Sequence, residues 1–356
     1  MRQEVLPQSR TSFTGSRISR TACTLSPYEP SAATNAPASG RTKSVTVFDG
    51  HKVLIIGGLG TSSTNNVLAF DPIENKWTDI NMNGAPILSR LGHGAIFTGK
   101  DVLVWGGENV STGVGAVYSP ALDEWRPINQ GLRAPAPRSD FAHAWTGTEW
   151  LIWGGRGSQS TMSDGAIYSP DSDSWHRMRR SSLGARYGAA AVKTSTGIMV
   201  IGGLDDSSRP LSDYAFYQPS TNTWSQIRNM PQCSGRSEAV VIDDHVLVVS
   251  ETGWCQYDIK QDQWAIIPAR PNQRISFGPG DGIFTSNGTE LLVYGGSISS
   301  TDGVLDSFEP VTQQWRTPSN GSPQVSALQS AGIWTGCRLF IWSDVVNRNS
   351  GLLIGN

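Results

Sequence analysis

Charge is scarce in this sequence: Asp, Glu, Lys and Arg make up only 16% of its 356 residues, and 28 basic residues nearly balance 30 acidic ones. The net charge of −2 leaves no basic stripe for a phosphate backbone, which argues against DNA or RNA as a partner. No apolar run reaches the roughly 18 residues of a membrane span. The opening MRQEVLPQSRTSFTGSRISR lacks the apolar stretch of a secretory leader. Histidine is rare, and His51, His93, His143, His176 and His245 form no close ligand pair and no HExxH, so no metal site is expected. A phosphate-cradling glycine loop, a dinucleotide fingerprint and a GxSxG elbow are all missing, and no cofactor is expected.

What the chain has in quantity is glycine (39), proline (20) and tryptophan (13), the composition of many short strands joined by turns. These residues recur with a period of about 48. Glycine pairs close short apolar runs at Gly57–Gly58, Gly106–Gly107, Gly154–Gly155, Gly202–Gly203 and Gly295–Gly296. Two degenerate copies carry Ser250–Glu251 and Ser343–Asp344 instead. An aromatic residue precedes a tryptophan by seven positions in six copies: Phe70 and Trp77, Tyr118 and Trp125, Tyr168 and Trp175, Tyr217 and Trp224, Tyr257 and Trp264, Phe308 and Trp315. Turn sequences such as DPIEN and SPALDE separate most of these partners, which predicts hairpins. A turn glycine sits seven residues before the glycine pair or its equivalent at Gly50, Gly99, Gly147, Gly288 and Gly336, and five before at Gly197. Each repeat therefore reads as four strands, a to d.

A four-stranded unit with a glycine pair closing strand b and an aromatic-to-Trp pair across c and d resembles the kelch repeat. The resemblance covers nearly the whole chain and implies an all-β, seven-bladed kelch-type β-propeller with four-stranded antiparallel blades. The seventh blade lacks an outer strand before the chain ends. Register with Ala85–Pro86 and the Trp-to-Arg spacing predict that residues near Cys23–Pro30, within an arm of 22–43, supply it and close the last blade. Residues 1–21 read as a disordered tail and 22–356 as one propeller.

In a propeller the d–a and b–c loops emerge at one end and strands a line the channel, where ligands of this fold bind. Arg41, Arg90, Arg138, Arg186 and Arg236 occupy one repeat position near that mouth, four of them 16 residues before a glycine pair. Converging guanidinium groups would hold a small anionic ligand; alternatively, each bonds a neighbouring backbone or carboxylate. Asp140, Glu238, His93 and His143 are nearby acid–base candidates, with Glu238 the catalytic one because burial in a channel moves a carboxyl pKa. The polar b–c loops, with Arg156, Asp164, Asp205, Asp206, Arg209 and Asp213, form a rim for a partner protein or glycan, and Trp254 in the shortened blade-five loop is placed to stack on a sugar or be buried.

The resemblance extends to galactose oxidase and to a sialic-acid mutarotase, but neither the two-His, two-Tyr copper set nor the mutarotase motifs fall on matching positions. The primary expectation is a non-catalytic, monomeric interaction propeller; the alternative is a channel enzyme for an anionic sugar, of epimerase or mutarotase type, with an oxidase as the lesser third. Cys233 and Cys255 project to one face and are expected to pair, whereas Cys23 and Cys337 are expected too far apart. Asn109, Asn287 and Asn320 open glycosylation triplets at near-chance frequency. The style of WTGTEWLIWGG resembles bacterial extracytoplasmic kelch proteins, whereas the absent leader favours the cytoplasm.

Overall fold

The computed structural model describes residues 30–33, 41–60, 67–86, 90–108, 115–270, 282–295, 303–317, 331–345 and 348–355. Seven four-stranded antiparallel sheets stand in a ring, and no helix occurs among the described residues. In blade one, Val45–Phe48 pairs with Val53–Ile56, then Leu68–Asp71, then Lys76–Asp79. The meander repeats outward from the innermost strands Gly94–Phe97, Ala142–Trp145, Ala190–Thr194, Ser237–Ile242, Ile283–Ser286 and Ala331–Trp334. No helix among them is long and apolar enough to cross a membrane.

Strand b is buried along its length in VLII, VLVW and WLIW because a blade is covered on both faces. The core accordingly lies between blades. One cluster joins Val47, Leu54 and Ile56 of blade one to Ala95, Phe97 and Val104 of blade two. Another joins Phe48, Val53 and Phe70 to Ile333, Phe340 and Trp342 of blade seven. The outer-strand tryptophans serve the same seams: Trp77 lies 5.0 Å from Phe70 in its own blade and 5.0 Å from Trp342 in the preceding one. The Trp175–Trp105, Trp224–Trp153 and Trp315–Trp254 contacts repeat this arrangement at 5.6 to 5.8 Å.

The glycine pairs are explained by backbone geometry. Both members have positive φ in blades one to four, from +64° at Gly57 to +115° at Gly107. The second N–H donates across the seam, from Gly58 to the Arg90 carbonyl (3.1 Å), Gly107 to Arg138 (2.9 Å) and Gly155 to Arg186 (2.7 Å). A β-carbon on Gly57 would meet His93 at 2.6 Å, so the seam closes only over glycine.

The seventh blade carries Ala331–Trp334, Arg338–Val345 and Arg348–Gly355, and Pro30–Ala33 pairs antiparallel with the last of these, Pro30 opposite Ile354. Residues 1–29, which hold the expected tail and all but the end of the Cys23–Pro30 segment, lie outside the described residues. Thr46 donates to the Gly332 carbonyl at 3.1 Å, linking blades one and seven at their inner strands.

Candidate functional site

Arg41, Arg90, Arg138 and Arg186 stand where the repeat places them, but they are 0–2% exposed and face the blade rather than the channel. Each donates Nη1 to the carbonyl of the first glycine of its own pair: Gly57 (3.5 Å), Gly106 (3.0 Å), Gly154 (3.1 Å) and Gly202 (3.0 Å). Arg138 also makes a two-pronged bond to Asp164 at 2.9 and 3.3 Å, and Arg186 one to Asp213 at 2.6 and 2.9 Å. Burial lowers the Arg90 pKa to about 10 and lowers that of Arg41. A ring of guanidinium groups converging on an anion needs open donors, and these four spend theirs on strand ends and carboxylates.

Arg236 does not share their position. In blade five the Gly203 N–H meets the carbonyl of Gly235, not of an arginine (2.7 Å), and Ser237 N–H bonds Gly188 as Gly188 N–H bonds Asp140. Arg236 therefore occupies the place that Tyr187 holds in blade four. Its own glycine pair is replaced by Ser250–Glu251, neither with positive φ, so no exposed glycine carbonyl awaits the guanidinium. The side chain passes over Gly188, where a β-carbon would meet its Cγ at 2.9 Å, and places Cζ 5.2 Å from the Tyr187 ring centroid. The Glu251 carboxylate lies 3.9 Å from Arg236 Nε, both side chains being partly exposed.

Arg156, from the b–c loop of blade three, stacks on the same tyrosine with Cζ 3.8 Å from the centroid. Its backbone is bridged to Ser139 and Thr161, and its side chain is exposed. Tyr187 is buried, with its hydroxyl 3.0 Å from Ser208 Oγ. This cluster draws on the loop-bearing ends of blades three, four and five.

On the inner strands and the segments leading into them, a cavity is lined by Phe141, His143, Ala189–Ala191, Ser237–Ala239 and Phe284. Glu238 and His143 share this cavity. Trp150 Nε1 donates to His143 Nδ1 at 3.3 Å, fixing the imidazole against strand b of its blade. His93 is buried between blades one and two over Gly57. Asp140, with φ +50°, continues the seam through N–H to Gly92 and carbonyl from Gly188, at 2.8 and 2.7 Å.

Trp254 is half-buried, packed against Phe284 (5.5 Å) and Trp315 (5.6 Å) in the seam between blades five and six. Cys233 and Cys255 form a disulfide with Cα atoms 6.4 Å apart, tying the short blade-five loop to the segment leading to Arg236. Cys23, Asn109 and Asn320 lie outside the described residues. Cys337, expected to stay unpaired, is disulfide-bonded and none of the described cysteines is free, so the two-strand spacing does not bar a bridge to the last blade. Asn287 turns inward on its own loop, where Oδ1 accepts from the Glu290 N–H at 2.8 Å. Among the described residues no group of three or more His, Cys, Asp or Glu side chains is arranged to hold a metal ion.

Repeat, ring and interlocking seams define a kelch-type β-propeller. The family model described as the KLHDC2/KLHL20/DRC7 Kelch-repeats domain matches residues 42–253, and the chain belongs to that family. No curated protein matches it.

Proposed function

We propose that this propeller is an interaction scaffold that takes a partner protein on its loop-bearing end. Propellers of this family typically mediate protein interaction. The observation that carries the reading is the loop architecture over blades three and four: these polar loops are long, exposed at their tips and braced to each other. Asp206 Oδ1 accepts from Thr161 N–H across the two loops at 2.7 Å, and Asp205 holds Arg209 at 2.8 Å within one. A face whose loops are fixed before binding loses little entropy on docking.

A channel enzyme for an anionic sugar is the weaker reading. Among the described residues the repeat arginines, which would hold its anion, already serve the seams. A glycan platform on Trp254 is likewise disfavoured by the aromatic partners of that ring. The Cys233–Cys255 disulfide favours an oxidising, extracytoplasmic setting.

Two leucines test the face. Leu132, 96% exposed in the d–a loop after blade two, lies at the loop-bearing end; Leu122, 68% exposed in a c–d turn, lies at the other. A photo-crosslinking residue at position 132 is expected to trap a discrete partner in an extract of the native host, and the same residue at 122 is not. Trapping only from 122 would reject the reading.

A further inference from the structure

Blade five breaks the repeat at two points, and both breaks meet at one place. Where four blades bury an arginine against a glycine carbonyl, Gly235 stands instead; where they carry the second glycine, blade five carries Glu251. Arg236 is thereby moved from the seam to the surface, onto the tyrosine ring that Arg156 already covers.

Arg156 has an exposed guanidinium with no ion pair among the described residues. The nearby carboxylates are engaged elsewhere: Asp164 by Arg138, Asp213 by Arg186, Asp205 by Arg209, Asp206 by the Thr161 N–H. A guanidinium held over an aromatic ring can still donate from its edges while losing much of its rotamer freedom, which suits two-pronged bonding to a planar acid. Glu251 at 3.9 Å from Arg236 neutralises part of the cluster's charge. That carboxylate lowers the attraction of the site for any anion without abolishing it, since two guanidinium charges face one carboxylate.

We propose that Arg156 and Arg236, both held on Tyr187, recognise the side-chain carboxylates of an acidic segment in the partner protein by two-pronged hydrogen bonds, with Glu251 as the residue that sets the strength. The proposal rests on the loop-end reading and gives its chemistry.

The test is titration of the full chain with hexaglutamate acetylated and amidated at its ends, so that only side-chain carboxylates are offered. Saturable binding is expected, weakened about five-fold by Arg156→Ala and by Arg236→Ala. Glu251→Gln should tighten it about three-fold, and Arg126→Ala, on an outer strand, should leave it unchanged. Arg156→Lys keeps the charge without the planar fork and should also weaken binding, which covers any misfolding of the Arg236 variant. No saturable binding, equal loss with Arg126→Ala, weakening by Glu251→Gln, or displacement by equimolar inorganic phosphate would overturn the proposal. A cross-link from position 132 without hexaglutamate binding would reject the acidic-segment chemistry alone and leave the loop-end reading standing.

Discussion

Arginine does two different jobs in this ring, and the difference lies in what meets its donors. Arg138 and Arg186 are buried, each with a glycine carbonyl and both oxygens of an aspartate as acceptors. Removing either leaves a strand-end carbonyl without its partner inside the seam. Arg138→Ala and Arg186→Ala are each expected to cost about 2–3 kcal/mol, read from the midpoint of urea unfolding; an unchanged midpoint would show that water satisfies the carbonyl as well. Arg186→Lys should recover only part of the loss, because an ammonium cannot engage both Asp213 oxygens and the glycine carbonyl in one plane. The 16-residue spacing made these four arginines legible in the sequence, and the alternative that each bonds a backbone or a carboxylate describes what they do. Arg236 was misplaced by one residue, since Gly235 enters the seam ahead of it and a single-residue offset in a degenerate repeat has no signature without pairing partners. Arg156 was read only as rim, because its role depends on a tyrosine 31 positions away that the fold brings under it.

At the scale of the element, the outer hairpin carries a device that the aromatic-to-Trp spacing only half revealed. The residue two before the tryptophan has positive φ in all six hairpins: Asn75, Asp123, Asp173, Asn222, Asp262 and Gln313. In four of them it accepts the hydroxyl of the strand-c tyrosine, from Tyr118 to Asp123 (2.8 Å), Tyr168 to Asp173 (2.5 Å), Tyr217 to Asn222 (2.9 Å) and Tyr257 to Asp262 (2.6 Å). The Tyr-to-Asx spacing of five was visible beside the Trp spacing of seven, yet only the side-chain bond shows its purpose. Burial raises these phenols, to about 12 for Tyr217 and further for Tyr118 and Tyr257, where the aspartate bond adds to it. A raised phenol pKa means that the folded state holds its proton more tightly than the unfolded chain, whose value is near 10. The stabilisation is complete below that value and is lost as pH climbs toward the folded values. Melting temperature should be flat from neutrality to about pH 9 and fall from about pH 10 upward, with phenolate absorbance rising alongside; a fall beginning near neutrality would point to other groups. Blade five adds the Cys233–Cys255 link across 22 residues, and Cys233→Ser is expected to lower stability by about 3 kcal/mol, as judged by denaturant titration.

For the whole molecule, the problem is a ring that must not open. Its cores belong to pairs of blades, so a gap at any seam exposes the apolar faces of two sheets. We propose that Pro30–Ala33 latches the ring by covering the outer edge of the last blade, where it pairs with Gly351–Ile354. Deleting residues through Ala33 should lower the melting temperature of the entire propeller as one transition; an unchanged melt would reject the latch. The period, the blade number and the inner strands were legible because each repeat restates the same glycine and aromatic constraints. The working surface was not, because it arises where blades three to five depart from the repeat and meet across seams.

On this division of labour the buried repeat arginines hold the ring while Arg156 and Arg236 serve the partner. Thermal melts of two double variants, Arg138→Ala with Arg186→Ala and Arg156→Ala with Arg236→Ala, each with and without end-blocked hexaglutamate, separate the two jobs in one measurement. The first pair should melt well below the wild type and still shift upward with the peptide. The second should melt close to the wild type and show no shift. A peptide shift lost only in the first pair, or a ring destabilised only by the second, would contradict the account.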